Sequence, residues 1–391
     1  MSDSLALRQP VVIETDASSS FACDYVAGVN RVLSLPPYLL VDNIGRNFEV
    51  WRFPPGDLEP ATRALYDLTS YPDDPIASLL DVDLHAAFLC HAGRELLAVN
   101  HYGCVRRFEL PSPASHMRPA WELQLLGDTE RVVMAADCFI TSSPRGEFMD
   151  EPSRPGVFLF EPIAALHAPA SGGPRRLGCD QVLTGWGMTS ALEVSAAADR
   201  LAVAAGPRVG VFRLACGSAC LRLGDCLWEA PLRCHCQWLH FDETGRLWVG
   251  GYRPSSSAAD GGDWDACRGG GVDAFAVEGG AHLFTAALPE ATAWGYGADP
   301  MVLAPGGHEV YVLGRDASLH VIDLTSGASR QLCRAPAMLD GVAAPSLGIG
   351  HAALRDGWLY AGFSRGGFWL LRYDLHGGWR IGSPASGRHC H

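Results

Sequence analysis

Three histidines share one local context. His85 opens HAAFLCHAGRELLAV, His235 opens HCQWLHFDETGRLWVG and His351 opens HAALRDGWLYAG, each at or just before the start of an apolar segment. Neutral imidazoles projected from separate elements towards one point could bind Fe, Zn or Cu. The simpler role for each ring is a hydrogen bond to a neighbouring strand.

A second set is apolar. Trp186 and Met188 in TGWGMTSALEV, and Trp294 and Tyr296 in TAWGYGADPMVL, precede apolar runs in similar surroundings. Aromatics with few polar groups line small-molecule pockets when they rim a concavity, and they also fill seams between sheets. The glycines beside both tryptophans favour tight turns near the surface, which supports a pocket.

Residues 216–240 hold Cys216, Cys220, Cys226, Cys234 and Cys236, with His235 and His240 interleaved. The Cys216–Cys220 spacing lies within the zinc range, but the pair flanks a turn, and a buried Cys is commonly small apolar filler. The terminal His389–Cys390–His391 could hold a metal adventitiously, although a frayed end is the default. Asp260, Asp263 and Asp265 lack the bidentate Glu that closes an EF-hand loop. No G-x-S-x-G elbow, P-loop or dinucleotide fingerprint occurs in its strand–helix setting.

The elements that must position these groups are short apolar runs in hairpin pairs. In EVYVLGRDASLHVIDLTSG, from Glu309, two β-branched runs flank a polar, Gly-containing turn. The outline recurs from Tyr38, Glu95, Arg131 (with GVFLFEP from Gly156), Arg200, Arg246 (with GVDAFAVEGG from Gly271), Glu309 and Trp358. Equating third residues aligns Leu40, Leu97, Val133, Ala202, Trp248, Tyr311 and Tyr360 at intervals of 36 to 69 residues. Further apolar segments, such as Ala191–Val194 and Met301–Leu303, precede the hairpins, and others follow them.

Seven units of four short strands resemble the seven-bladed β-propeller class, of the WD40-like or YVTN-repeat kind. The resemblance implies an all-β fold of seven four-stranded antiparallel blades, a single β-propeller domain over residues 1–391, and innermost strands whose starts face a central channel. His85, His235 and His351 would then lie in blades two, five and seven. Carotenoid-cleaving oxygenases carry axial histidines on such a ring, and nothing else in the chain resembles them. The Trp-Asp dipeptide of WD40 repeats occurs once, at Trp264–Asp265, in a loop, and no Gly-His pair keeps register with it. Three segments exceed the minimal blade. Residues 56–83 are expected to include a helix at 60–68, while residues 142–155 and 253–270 lengthen two second-to-third-strand connections on one face.

A net charge of −13 and a pI near 5.5 leave no basic footprint for nucleic acid and disfavour anionic membranes. No signal-peptide core and no apolar run of transmembrane length is present, and 13 scattered cysteines suggest free thiols, so a cytoplasmic protein is expected. Two functions fit. One is a binding module holding a small molecule, peptide or partner protein on the elaborated face. The other is an enzyme acting at the channel mouth, through a metal held by the axial histidines or through the aromatic rim.

Overall fold

The structure, a computed structural model, describes residues 11–14, 29–43, 48–55, 57, 60–66, 84–90, 93–100, 103–110, 123–125, 129, 131–143, 155–163, 175–176, 178–186, 189–216, 221–252, 270–288, 300–314, 316–333, 338–339, 342–343, 350–363 and 369–375. Among them, seven antiparallel sheets follow one another along the chain. The innermost strands are Val29–Leu35, Leu84–Cys90, Arg131–Ala135, Ala191–Val194, His235–Phe241, Met301–Leu303 and Gly350–Arg355. Within each sheet the strands run outwards in chain order, except in the last. There the N-terminal Val11–Glu14 pairs with Trp369–Asp374 and supplies the outermost strand. In the second blade the fourth strand is only Leu123–Gln124, and Arg175–Arg176 pairs parallel to it as a fifth. A small hairpin, Met338–Leu339 with Val342–Ala343, lies in the chain between blades six and seven.

The second strand of each blade shows why the sequence selects this arrangement. Successive side chains of a strand point to opposite faces. In the first blade, Leu39 and Val41 enter a cluster with Tyr360 and Leu370 of the seventh, while Leu40 enters one with Leu84 and Leu96 of the second. In the fourth, Leu201 and Val203 face Ile140 of the third, and Ala202 and Ala204 face Val249 of the fifth. Every seam between neighbouring blades holds one such cluster. Both faces of a middle strand are therefore buried, which makes a run such as Leu96–Val99 continuously apolar instead of alternating.

The equivalence of repeats holds with one correction. Leu40, Leu97, Ala202, Trp248, Tyr311 and Tyr360 each face the following blade. The matching residue in the third blade is Ile140, not Val133, because Arg131–Ala135 is the innermost strand there and Cys138–Ser143 the second. Ala136 and Asp137 make the intervening turn, both at positive φ (47° and 61°). A two-residue hairpin needs that twist and normally signals it with Gly or Asn. The sequence carries no such signal here, so the turn is concealed.

The helix expected at 60–68 is also corrected. Thr62–Tyr66 is the outermost strand of blade one, paired along Phe48–Arg52. An unpaired strand edge satisfies these backbone groups better than a single isolated helical turn, whose nucleation is costly. Arg63 lies over the Trp51 ring at 4.0 Å and covers it from solvent. Among the described residues no helix is long and apolar enough to cross a membrane.

Candidate functional site: the channel mouth

Antiparallel pairing sets Arg131 opposite Ser142 and His235 opposite Tyr252. The ends of the second strands thus lie at the same end of the sheets as the starts of the innermost strands. From this end depart both lengthened connections, after Ser143 and after Tyr252, whose own residues fall outside those described. The same backbone irregularity recurs here in three blades. The innermost strands carry one extra residue between Val29 and Arg31, between Leu84 and Ala86, and between Cys236 and Trp238. A bulge frees its residue from the ladder and re-aims the side chain. His85 is the extra residue in blade two, and Gln237 in blade five.

Polar side chains gather at this level. Arg31, in blade one, places Nη2 3.4 Å from His85 Nδ1 of blade two. Arg131, in blade three, donates Nε to the Ser190 carbonyl oxygen of blade four at 2.9 Å, and Nη2 to the Gln237 carbonyl oxygen of blade five at 3.4 Å. His351, in blade seven, is 5% exposed. Burial, followed by the charges of Arg31 and Arg131, holds its ring well below the usual histidine range, so it is neutral.

These positions bear on the histidines of interest. His85 and His351 both lie close to Arg31, and His235 packs beside Tyr252 with ring centres 5.8 Å apart. Among the described residues no three His, Cys, Asp or Glu side chains come within reach of one ion. The three imidazoles therefore form no shared metal centre in this arrangement. Guanidinium groups stand among them, and a cation there would meet like charge.

Trp186 is 8% exposed and fills the seam between blades three and four. It packs edge-on against Phe212 at 5.5 Å, under the Arg208 guanidinium at 4.1 Å. A Cβ on Gly210 would meet its ring at 2.6 Å, so that glycine makes room for the indole. Met188, Trp294 and Tyr296 lie outside the described residues.

Two clusters that sequence reading passed over contain the residue types of a hydrolytic triad. In blade five, Asp273 Oδ1 and Thr285 Oγ1 both lie on His282 Nε2, at 3.0 and 2.9 Å. In blade six, Ser318 stands between Asp316 and His320, with Oγ 2.9 Å from His320 Nε2. A triad needs the imidazole between nucleophile and carboxylate, with a different ring nitrogen on each. Neither cluster has that order. The second fixes a hairpin tip, which Tyr373 of blade seven also holds by donating its hydroxyl to the Ala317 carbonyl at 2.7 Å.

Among the described residues the cysteines Cys90, Cys104, Cys138, Cys179, Cys226, Cys234, Cys236 and Cys333 are free thiols. Burial pushes the Cys236 thiol up to about 12, against a smaller opposing influence of Arg131. It stays protonated at neutral pH and is a poor nucleophile or metal ligand.

No protein-family model matches the sequence, and no curated protein does. Among solved structures, the chain is similar to the WD40 β-propeller domain of Doa1, with a TM-score of 0.57 and 10% identity over 96% of this chain and all of that one. It also aligns with the computationally designed Ika8 protein at a TM-score of 0.49 and 9% identity, over 89% of this chain and 96% of that one. At 10% identity the first likeness speaks for the fold alone, and there it agrees with the seven sheets and their seven apolar seams. The chain is a seven-bladed β-propeller.

Proposed function

We propose that this propeller is a binding module that seats a peptide or a loop of a partner protein on the face where the innermost strands begin. The observation that carries the reading is the contrast between the seams and this face. Each seam is closed by apolar packing, whereas Arg31, His85, Arg131, His235 and His351 are gathered from five different blades at one level. Polar side chains brought together on a rigid ring make a preformed surface that loses little entropy on binding. The bulges that free His85 and Gln237 belong to the same level, as expected where a strand re-aims side chains for recognition.

Peptides selected from a displayed random library against the purified protein test this. The selected peptides should lose at least about tenfold in affinity to His351→Ala, a change of roughly 1.4 kcal/mol. They should bind normally to Glu278→Ala, which alters an exposed turn between the third and outermost strands of blade five. Equal binding to His351→Ala and the parent would place the binding surface elsewhere.

A further inference from the structure

We infer that the outer part of blade five carries a binding site for a divalent transition-metal ion, held by His282 Nε2, Asp273 Oδ1 and Thr285 Oγ1. The site lies on the third and outermost strands, Gly270–Ala276 and His282–Leu288, away from the innermost strands that form the mouth. It is therefore independent of the peptide-binding reading.

The register of these two strands brings the three side chains together. Asp273 pairs directly with Thr285, and Phe275 with His282, so all four residues share one face of the sheet. His282 and Thr285 are three residues apart, and in a regular strand they would point to opposite faces. A bulge corrects the parity. Ala274 pairs with Phe284 and Phe275 with His282, which leaves Leu283 as the extra residue, 52% exposed. A bulge re-aims a side chain in this way where a particular placement is needed. The Phe275 ring then meets the imidazole edge-on at 5.2 Å and fixes its orientation.

The three polar atoms form a closed triangle. Nε2 is 3.0 Å from Asp273 Oδ1 and 2.9 Å from Thr285 Oγ1, and the hydroxyl lies 2.5 Å from the same carboxylate oxygen. Ligands at right angles on an ion with bonds of about 2.1 Å stand about 3.0 Å apart. The triangle is thus close to one face of an octahedron, with the carboxylate and hydroxyl spreading slightly to admit the ion. The His282 side chain is 45% exposed, so water has access to the remaining positions. An imidazole nitrogen beside a carboxylate suits borderline ions such as Co, Ni or Zn, whereas Mg and Ca prefer an all-oxygen shell. One carboxylate leaves a divalent ion with a single positive charge, which a chain of net −13 accommodates.

Cobalt(II) is the probe. Histidine side-chain 1H–15N spectra of the full-length protein follow the His282 ring, assigned by its loss in His282→Gln, as the paramagnetic ion is added. The His282 signals should shift or broaden saturably, and magnesium at the same concentrations should leave them unmoved. In Asp273→Asn the apparent affinity should fall more than about tenfold, and in Thr285→Val by less. Glu278→Ala, which removes an exposed carboxylate of the neighbouring turn, should bind as the parent does. Cysteines and the terminal His389 and His391 also take cobalt, but their occupation does not saturate the His282 ring. A ring that stays unmoved while the terminal histidines respond overturns the site, since the ion is then adventitious. So does an equal response to magnesium. Affinity unchanged in both Asp273→Asn and Thr285→Val overturns it as well, and the parent titration decides if either variant folds poorly.

Discussion

Arg131 Nε lies 2.9 Å from the carbonyl oxygen of Ser190, so a side chain from the third blade caps the start of the fourth blade's innermost strand. Its Nη2 continues to the Gln237 carbonyl of the fifth blade. One residue thus ties three consecutive blades at the mouth. On the other side, Arg31 reaches from the first blade to His85 of the second. Packing closes the seams, and guanidinium groups bridge blades one and two and blades three to five at the rim. Apolar contacts hold the seams at middle radius, and at the inner one Arg131 binds backbone oxygens of two blades while Arg31 meets an imidazole.

Stability should fall on mild acidification. His351, His240 and His320 are each held below the ordinary histidine value of 6.5, in every case chiefly by burial. The unfolded chain then binds protons that the folded chain refuses. Their contribution is complete above pH 6.5 and is lost as the pH drops from there through the folded values, at up to about 1.4 kcal/mol per pH unit for the buried rings of His351 and His320 and by less for His240, whose 41% exposed side chain is screened by solvent. Urea midpoints measured between pH 7.5 and 5 should decrease, with a shallower slope in His351→Gln. Equal slopes would mean that His351 is protonated in the folded protein.

Gly251 is a glycine whose loss should be felt strongly. It sits on the second strand of blade five opposite Cys236, and a Cβ there would press on the His235 carbonyl group and on Cys236 Cα. These are backbone atoms and cannot swing aside. Gly250→Ala would instead meet chiefly the flexible end of Met301. Gly251→Ala should therefore cost on the order of 3 kcal/mol and Gly250→Ala less. Comparable denaturation midpoints for the two variants would show that the strand can shift.

The repeat was legible because its signal is compositional. Strands buried on both faces read as apolar runs, and Gly-bearing turns such as Asp356–Gly357 mark their limits. It failed where a turn lacked that mark, at Ala136–Asp137, and where an outer strand, Thr62–Tyr66, contained residues that also suit a helix. The site was half legible. The shared context of His85, His235 and His351 reflects their place at the starts of innermost strands, where the structure puts all three. The context did not show that Arg31 and Arg131 stand among them, since an arginine at a strand start looks like any solvated charge. Only pairing across blades reveals that the Arg131 donors go to Ser190 and Gln237, and that His351 is left neutral between cations.

The last prediction concerns ring closure. Val11, Val12, Ile13 and Glu14 pair in register with Arg372, Leu371, Leu370 and Trp369, so the seventh blade is built from both ends of the chain. Removing residues 1–15 deletes its outermost strand and leaves the N–H and C=O groups of Trp369–Asp374 on an open edge. That third strand carries Leu371 and Tyr373 into the seam with blade six, and Leu370 into the seam with blade one. Loosening it weakens both contacts of the closing blade, and through them the ring as a unit. The truncated protein should melt in one transition, at least a few degrees below the parent, and should associate more readily through the exposed edge. An unchanged melting temperature would show that the terminal strand decorates a ring already closed by its seams. A separate early transition, with the rest melting as before, would show that the seventh blade unfolds independently.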